Sequence, residues 1–318
     1  MPGKFLFTNA LGSFVFNEKH NAVDGLLFHS IEDYKEKSIY EDKLRQRHGN
    51  LEAPTGKNLY DILSFFKNKK YFSEFQKKNL ELTKESLRNS VSSDLLIIQT
   101  INTIDEIDKT INALTKRLRD WYSLYNPEAS NKIKDHQKFA SLVSHNSKSQ
   151  LLKEFSISEK DSMGADLKQT DVSAMILLAS QINSFYGLKE NYESYLKDLE
   201  KEVCPNLASV VGVNIAAKLI EHTGSLKRLS QLPASTLQIL GAEKALFRHL
   251  RNKRNLPPKY GLLHEHQLIQ KSKKDMHGKV ARALADKASI AARVDYFQGK
   301  FIGEKLKKEL TDKFKIQY

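Results

Sequence analysis

The chain has 318 residues, with 51 Lys/Arg against 38 Asp/Glu for a formal net charge of +13, and it is 40% hydrophobic and 28% charged. That balance describes a water-facing chain of two or three domains, and no apolar run approaches the roughly 18 residues a membrane-spanning helix needs. The start, Met1 to Phe7, lacks the longer apolar core of a signal peptide. A single cysteine, Cys204, excludes an intrachain disulfide and a cysteine-based zinc cluster, so the expected compartment is reducing, cytosolic or nuclear.

Residues 1–82 read as a small α/β domain. Phe5-Leu6-Phe7 and Phe14-Val15-Phe16 are β-prone runs that a turn through Gly12 joins as a hairpin, and Leu26-Leu27-Phe28 offers a third strand. Helical character follows over Ile39–His48 and Asn58–Phe66, with Asn58 as the expected N-cap. Residues 83–204 read as a coiled-coil arm. Its first helix spans about 84–125, with apolar residues at steps of three and four from Leu87 through Val91, Ile101, Ile107 and Leu118 to Tyr125. Forty helical residues extend on the order of 60 Å, too long for one small core, so a second helix is expected along the seam. The return helix is placed at 168–203, capped by Asp171, with a weak point at Lys189. Carboxylates such as Asp105, Glu106 and Asp108 read as a solvated face. Between the helices, Lys132–Val143 reads as helix, and Ser141–Ser149 and Ser156–Gly164 as loops at the tip of the hairpin. Cys204-Pro205 ends the arm, and residues 205–318 read as short helices. The fold class is therefore mainly α, with a small N-terminal α/β domain, a long antiparallel coiled-coil hairpin and a helical C-terminal domain.

The charge is concentrated at the C-terminal end. From Gly241 onward there are 19 Lys/Arg and 8 Asp/Glu, a net of +11, which leaves +2 for the first 240 residues. A local excess of this size suits a polyanion, although basic segments also serve solubility alone. Placed on a helix, Gly278–Phe297 lines up Ala281, Ala285, Ala288 and Ala292 in one stripe and sets Lys279, Arg282 and Arg293 roughly opposite. Gly241-Ala242-Glu243-Lys244 is expected at a helix start, where free N–H groups suit a phosphate. Lys244, Arg248 and Arg251 then share one face, and Ala245, Leu246 and Phe247 include the packing residues. His264-x-His266 lacks the further ligands a metal needs; His266 and Gln270 are instead expected to bond or stack on an unpaired base. The expected nucleic-acid contacts are Lys244, Arg248, Arg251, His266, Gln270, Lys279, Arg282 and Arg293.

Two of these segments carry a family resemblance. Gly241–Arg248 (GAEKALFR) together with Gly278–Phe297 (GKVARALADKASIAARVDYF) resembles the Nop domain, found in the core scaffold of archaeal C/D box small ribonucleoproteins and in nucleolar and spliceosomal relatives. Arg117–Tyr122 with Asn126-Pro127-Glu128 is similar to the central segment of the same family. The resemblance implies an N-terminal domain that docks fibrillarin, an arm that self-associates, and a C-terminal domain that grips kink-turn RNA and the ribosomal-type protein bound to it. It implies guide-directed ribose 2′-O-methylation, with S-adenosylmethionine on the partner methyltransferase and no cofactor on this chain, in the cytoplasm of an archaeal cell or the nucleolus of a eukaryotic one. The motifs of nucleotide-binding loops, zinc proteases and serine hydrolases are absent from the sequence, and no catalytic residue is assigned. Two rival classes are a splicing-type assembly protein with the same C-terminal domain and, less favoured, a methyltransferase in its own right.

Overall fold

The computed structural model describes residues 3–316. Two compact units divide the chain, one ending at Ser92 and one beginning at Ser93.

The first unit is built on a three-stranded antiparallel meander, β1 (Phe5–Asn9), β2 (Gly12–Phe16) and β3 (Ala22–Leu27). Central β2 is buried on both faces. Phe14 and Phe16 enter one cluster with Leu11, Ile62 and Phe66, while Val15 enters another with Leu6, Leu44 and Leu51. This is period-two alternation with both sides apolar. Gly12 is required in the hairpin, because a Cβ there would lie 2.3 Å from the Leu26 carbonyl oxygen. The expected third strand starts earlier than its apolar triplet, and Phe28 lies beyond it, almost fully buried.

Four helices complete the unit: α1 (Ile31–Lys35), α2 (Lys37–His48), α3 (Gly56–Phe65) and α4 (Lys69–Asn89). Asn58 does not cap α3; Thr55 holds that position, and the Asn58 side chain meets His20 Nε2 at 3.1 Å. The part of α4 before residue 84 was not expected, and the helix accounts for the unit's extending past residue 82. Its Lys78 donates to the Phe28 carbonyl and its Glu85 pairs with Lys35 at 2.5 Å.

The expected forty-residue helix is two helices. Helix α4 ends at Asn89, where Ser90 caps it through its N–H and its hydroxyl, both directed to Leu87 O. Helix α5 (Ser93–Tyr122) starts afresh in the second unit. Apolar spacing runs through the break undisturbed, but two serines flanking Val91 offer the backbone local bonds that compete with the helix. Leu87 and Val91 are accordingly 63% exposed.

Helix α5 pairs antiparallel with α9 (Gln169–Val203). Asp108 of α5 accepts from Lys189 of α9 at 2.7 and 2.9 Å, so the apparent flaw in the seam is a cross-helix ion pair and Asp108 is not simply solvated. Helix α9 starts at Gln169, with Asp171 inside its first turn and Lys168 at the cap position. At one end of the pair sit α6 (Pro127–Lys132), α7 (His136–His145) and α8 (Lys148–Glu154). They are packed elements. Phe139, Ala140, Val143 and Leu151 join Ile111, Leu118, Met175 and Ala179 in one core. The serine-rich stretch expected as a loop contains the start of α8, because Ser147 and Gln150 cap each other reciprocally.

At its other end the pair enters the C-terminal helices α10 (Pro205–Val211), α11 (Val213–Thr223), α12 (Leu226–Gln231), α13 (Ala234–Ile239), α14 (Glu243–Arg251), α15 (Gln267–Gln270), α16 (His277–Tyr296) and α17 (Gly303–Phe314). Ile97, Ile101, Ile104 and Leu196 share one core with Leu207, Leu219, Leu284 and Leu310. The second unit therefore does not divide at residue 204, where the sequence places a boundary. A buried bond network fixes the turn after α9. Asp295 of α16 accepts from Asn206 N, Leu207 N and Asn206 Nδ2 at 3.1, 2.8 and 2.7 Å, capping α10 from another helix. Burial pushes the Asp295 carboxyl up, against the pull of those three donors. Asp295→Ala leaves three buried N–H donors, two of the backbone and one of the Asn206 side chain, without their acceptor and is expected to cost about 2–4 kcal/mol, read as a lowered denaturant midpoint at unchanged slope.

Candidate nucleic-acid interface

Helix α16 positions the first group of cations. All four alanines of its stripe are fully buried, which lets α10, α12 and α13 approach closely, and Lys279 and Arg282 are left exposed. A groove of about 1290 Å³ runs beside them, between α16, the edge of α13, the Leu256–Lys259 turn and the last turn of α17. Its apolar lining includes Pro257, Met276, Ala283 and Phe314; its polar lining carries Lys259, Lys279, Arg282 and Lys313 against Asp275 and Asp286. Cations over a half-apolar trough suit a ligand with phosphates on its outside and flat rings to bury.

Lys244, Arg248 and Arg251 form a second group, all exposed on α14. None of that helix's nine residues is buried, and Phe247 and Leu250 are 66% and 55% exposed, so Phe247 is not the packing residue its spacing suggests. The start of α14 also differs from expectation. The Glu243 carboxylate accepts from Gly241 N at 2.8 Å and from His222 Nε2 at 2.8 Å. Partial burial raises that carboxyl, but Gly241, its own amide and His222 outweigh burial and hold it below the usual range. A phosphate approaching this helix end meets a carboxylate, so the end is not an open anion site.

The remaining expected contacts separate. His266 is 5% exposed; its Nδ1 accepts from Leu268 N at 3.1 Å to cap α15, and it bonds the Val210 backbone. Burial brings its pKa down to about 4, which that backbone bond does not offset, so it is a neutral structural histidine and not a base-stacking one. Two residues away, His264 stacks on Tyr260 with centroids 4.6 Å apart, and His277 approaches the same ring at 5.8 Å. Gln270 is exposed, with Nε2 donating to His264 O at 2.7 Å. Arg293 is exposed, yet its Nε donates to Ser230 O at 3.1 Å, tying α16 to α12. Only Lys279 and Arg282 of the expected set line the groove. Lys259, Lys313 and the Tyr260 stack were missed because they lie on a turn and on a helix some 50 residues apart, and only their charge and aromaticity were legible.

Fold and surface together define a mainly helical chain whose C-terminal half presents two exposed basic groups, one on α16 opposite its buried alanine stripe and one on α14. Residues 103–316 match the Nop family, described as "snoRNA binding domain, fibrillarin", and the chain belongs to that family. It is 39% identical over 276 residues to an uncharacterized NOP5 family protein of Methanocaldococcus jannaschii, covering 80% of this chain and 66% of that protein. Nucleolar protein 56 of Caenorhabditis elegans is 36% identical over 244 residues, and nucleolar protein 58 of Saccharomyces cerevisiae 38% over 216, covering 69% and 64% of this chain but 50% and 42% of those proteins. The matched part thus spans two thirds or less of these curated relatives. A chain of the crystal structure of a fibrillarin/Nop5p complex aligns over 98% of this chain and 99% of its own length, at 22% identity and a TM-score of 0.45.

Proposed function

We propose that this chain is a non-catalytic scaffold of a box C/D ribonucleoprotein guiding ribose 2′-O-methylation. The observation that carries the reading is the Nop match over residues 103–316, laid on a domain whose exposed cations gather at a half-apolar groove and along α14. The C-terminal helices grip kink-turn RNA and the ribosomal-type protein bound to it. The first unit docks fibrillarin, which the name of a structural neighbour contains and which brings S-adenosylmethionine. The α5–α9 pair leaves Leu177, Leu188 and Tyr195 exposed at 63%, 41% and 45%, a surface for pairing with a second copy. The chain's part in the reaction is orientation: holding a methyltransferase over one ribose converts an encounter into a positioned reaction.

Reconstitution tests this. The chain, fibrillarin, the kink-turn protein and a box C/D RNA are mixed, and methyl transfer is followed with each component omitted. Transfer is expected only from the complete mixture, and turnover without fibrillarin overturns the scaffold reading.

A further inference from the structure

Helix α14 presents three cations, yet no residue of it is buried, so apolar packing does not fix where those cations point. Its C-terminal end is tied mainly to its own following loop, with Asn255 Nδ2 donating to Arg248 O at 3.2 Å and His249 Nδ1 2.5 Å from Asn255 O. Its N-terminal end is tied to the core. Gly241 sits at φ +87°, a conformation glycine adopts at least cost, and a Cβ there would lie 2.7 Å from Leu262 Cγ. Glu243 Oε1 then accepts from both Gly241 N and His222 Nε2, each at 2.8 Å. His222 stands at the end of α11, where Ala216, Leu219 and Ile220 are fully buried. At 100° per residue, Glu243 projects about a quarter turn or more away from the face shared by Lys244, Arg248 and Arg251. An acid in the most cationic part of the chain is thus directed inward onto two donors and away from the ligand side.

We propose that Glu243, through His222, is the positioning residue that aims the basic face of α14 at RNA. The proposal rests on the ribonucleoprotein reading and adds to it the element that orients α14. Without the Glu243 bridge, α14 keeps its charge but loses its direction, and its cations no longer reach phosphates together.

The test is binding of the full chain to a box C/D RNA carrying the kink-turn protein, measured over a range of salt. Each phosphate contact contributes about 0.7–0.9 to the slope of log affinity against log salt. K244A/R248A/R251A is expected to make the slope shallower by about 2–3. Glu243→Ala and His222→Ala, which remove none of those cations, are each expected to make it shallower by about the same amount. Glu243→Gln keeps an acceptor and His222→Gln keeps a donor, and both are expected to retain most of the slope. In the triple-alanine background Glu243→Ala is expected to add nothing, as coupled groups do. Thermal unfolding of each variant followed by circular dichroism is expected to stay within a few degrees of the parent chain. An unchanged slope in Glu243→Ala, where the triple variant does lower it, overturns the positioning role alone. An unchanged slope in the triple variant overturns both that role and the assignment of α14 to RNA.

Discussion

Arg282→Glu is expected to lower affinity for the kink-turn RNA complex by about 10- to 100-fold, equivalent to about 1–3 kcal/mol. Arg282 lines the groove with Lys259, Lys279 and Lys313, against Asp275 and Asp286. Reversing one charge removes a phosphate partner and puts a third carboxylate beside the remaining cations, so the loss exceeds that of Arg282→Ala. The slope of log affinity against log salt is expected to become shallower by about 1 for the alanine and by more for the glutamate. The fold tolerates either change, because Arg282 is exposed while Ala281, Leu284 and Ala285 make the buried contacts of that turn. Fibrillarin capture is therefore expected to be unchanged. Equal loss of both activities, or a slope indifferent to the substitution, counts against the groove as the RNA surface.

Glu200→Gln is expected to stabilise the second unit at neutral and alkaline pH. Glu200 lies on α9 where it enters the C-terminal core, with 0% exposure, and among the described residues neither of its oxygens finds a well-formed hydrogen bond. Burial pushes its carboxyl up from the ordinary 4.5 to about 9; the Ala217 backbone pulls the other way without offsetting it, and nearby Asp295 adds to the rise. The folded chain therefore holds a proton that the unfolded chain releases above about pH 4.5. Stability linked to this group is complete below that pH, falls as pH rises, and is lost by about pH 9. Between pH 4.5 and 7 the loss is on the order of 3 kcal/mol, at 1.36 kcal/mol per pH unit. Glutamine keeps the shape and cannot ionise, so the variant should lose this part of the pH dependence, and its advantage over the parent should grow with pH. Denaturant unfolding at pH 5, 7 and 8.5 reads this directly. Parallel pH profiles for the two proteins would mean that Glu200 reaches water or a donor.

Much of the fold was legible because its signals are local. The apolar steps of three and four marked α5 and α9, and Cys204-Pro205 marked the end of α9 to the residue. Phe14 and Phe16 marked the central strand. Signals failed where two local rules compete. Spacing carried the helix through Ser90–Ser92, where serine bonding ends it, and serine content hid α8, which a serine begins. Asp108 looked solvated because its partner Lys189 is 81 residues away.

For the interface, the sequence by itself determined the amount of charge, the segment that carries it and the alanine stripe that turns Lys279 and Arg282 outward. Those follow from composition and from the 100° step of a helix, which need no partner. Only tertiary structure decided which polar groups are still available to a ligand. His266 is consumed in capping α15, Arg293 bonds Ser230, and Glu243 fills the helix end that a phosphate was expected to use. The physical reason is that a polar side chain's role depends on whether another part of the chain desolvates it and supplies its hydrogen bonds, and that part lies at no fixed distance along the sequence.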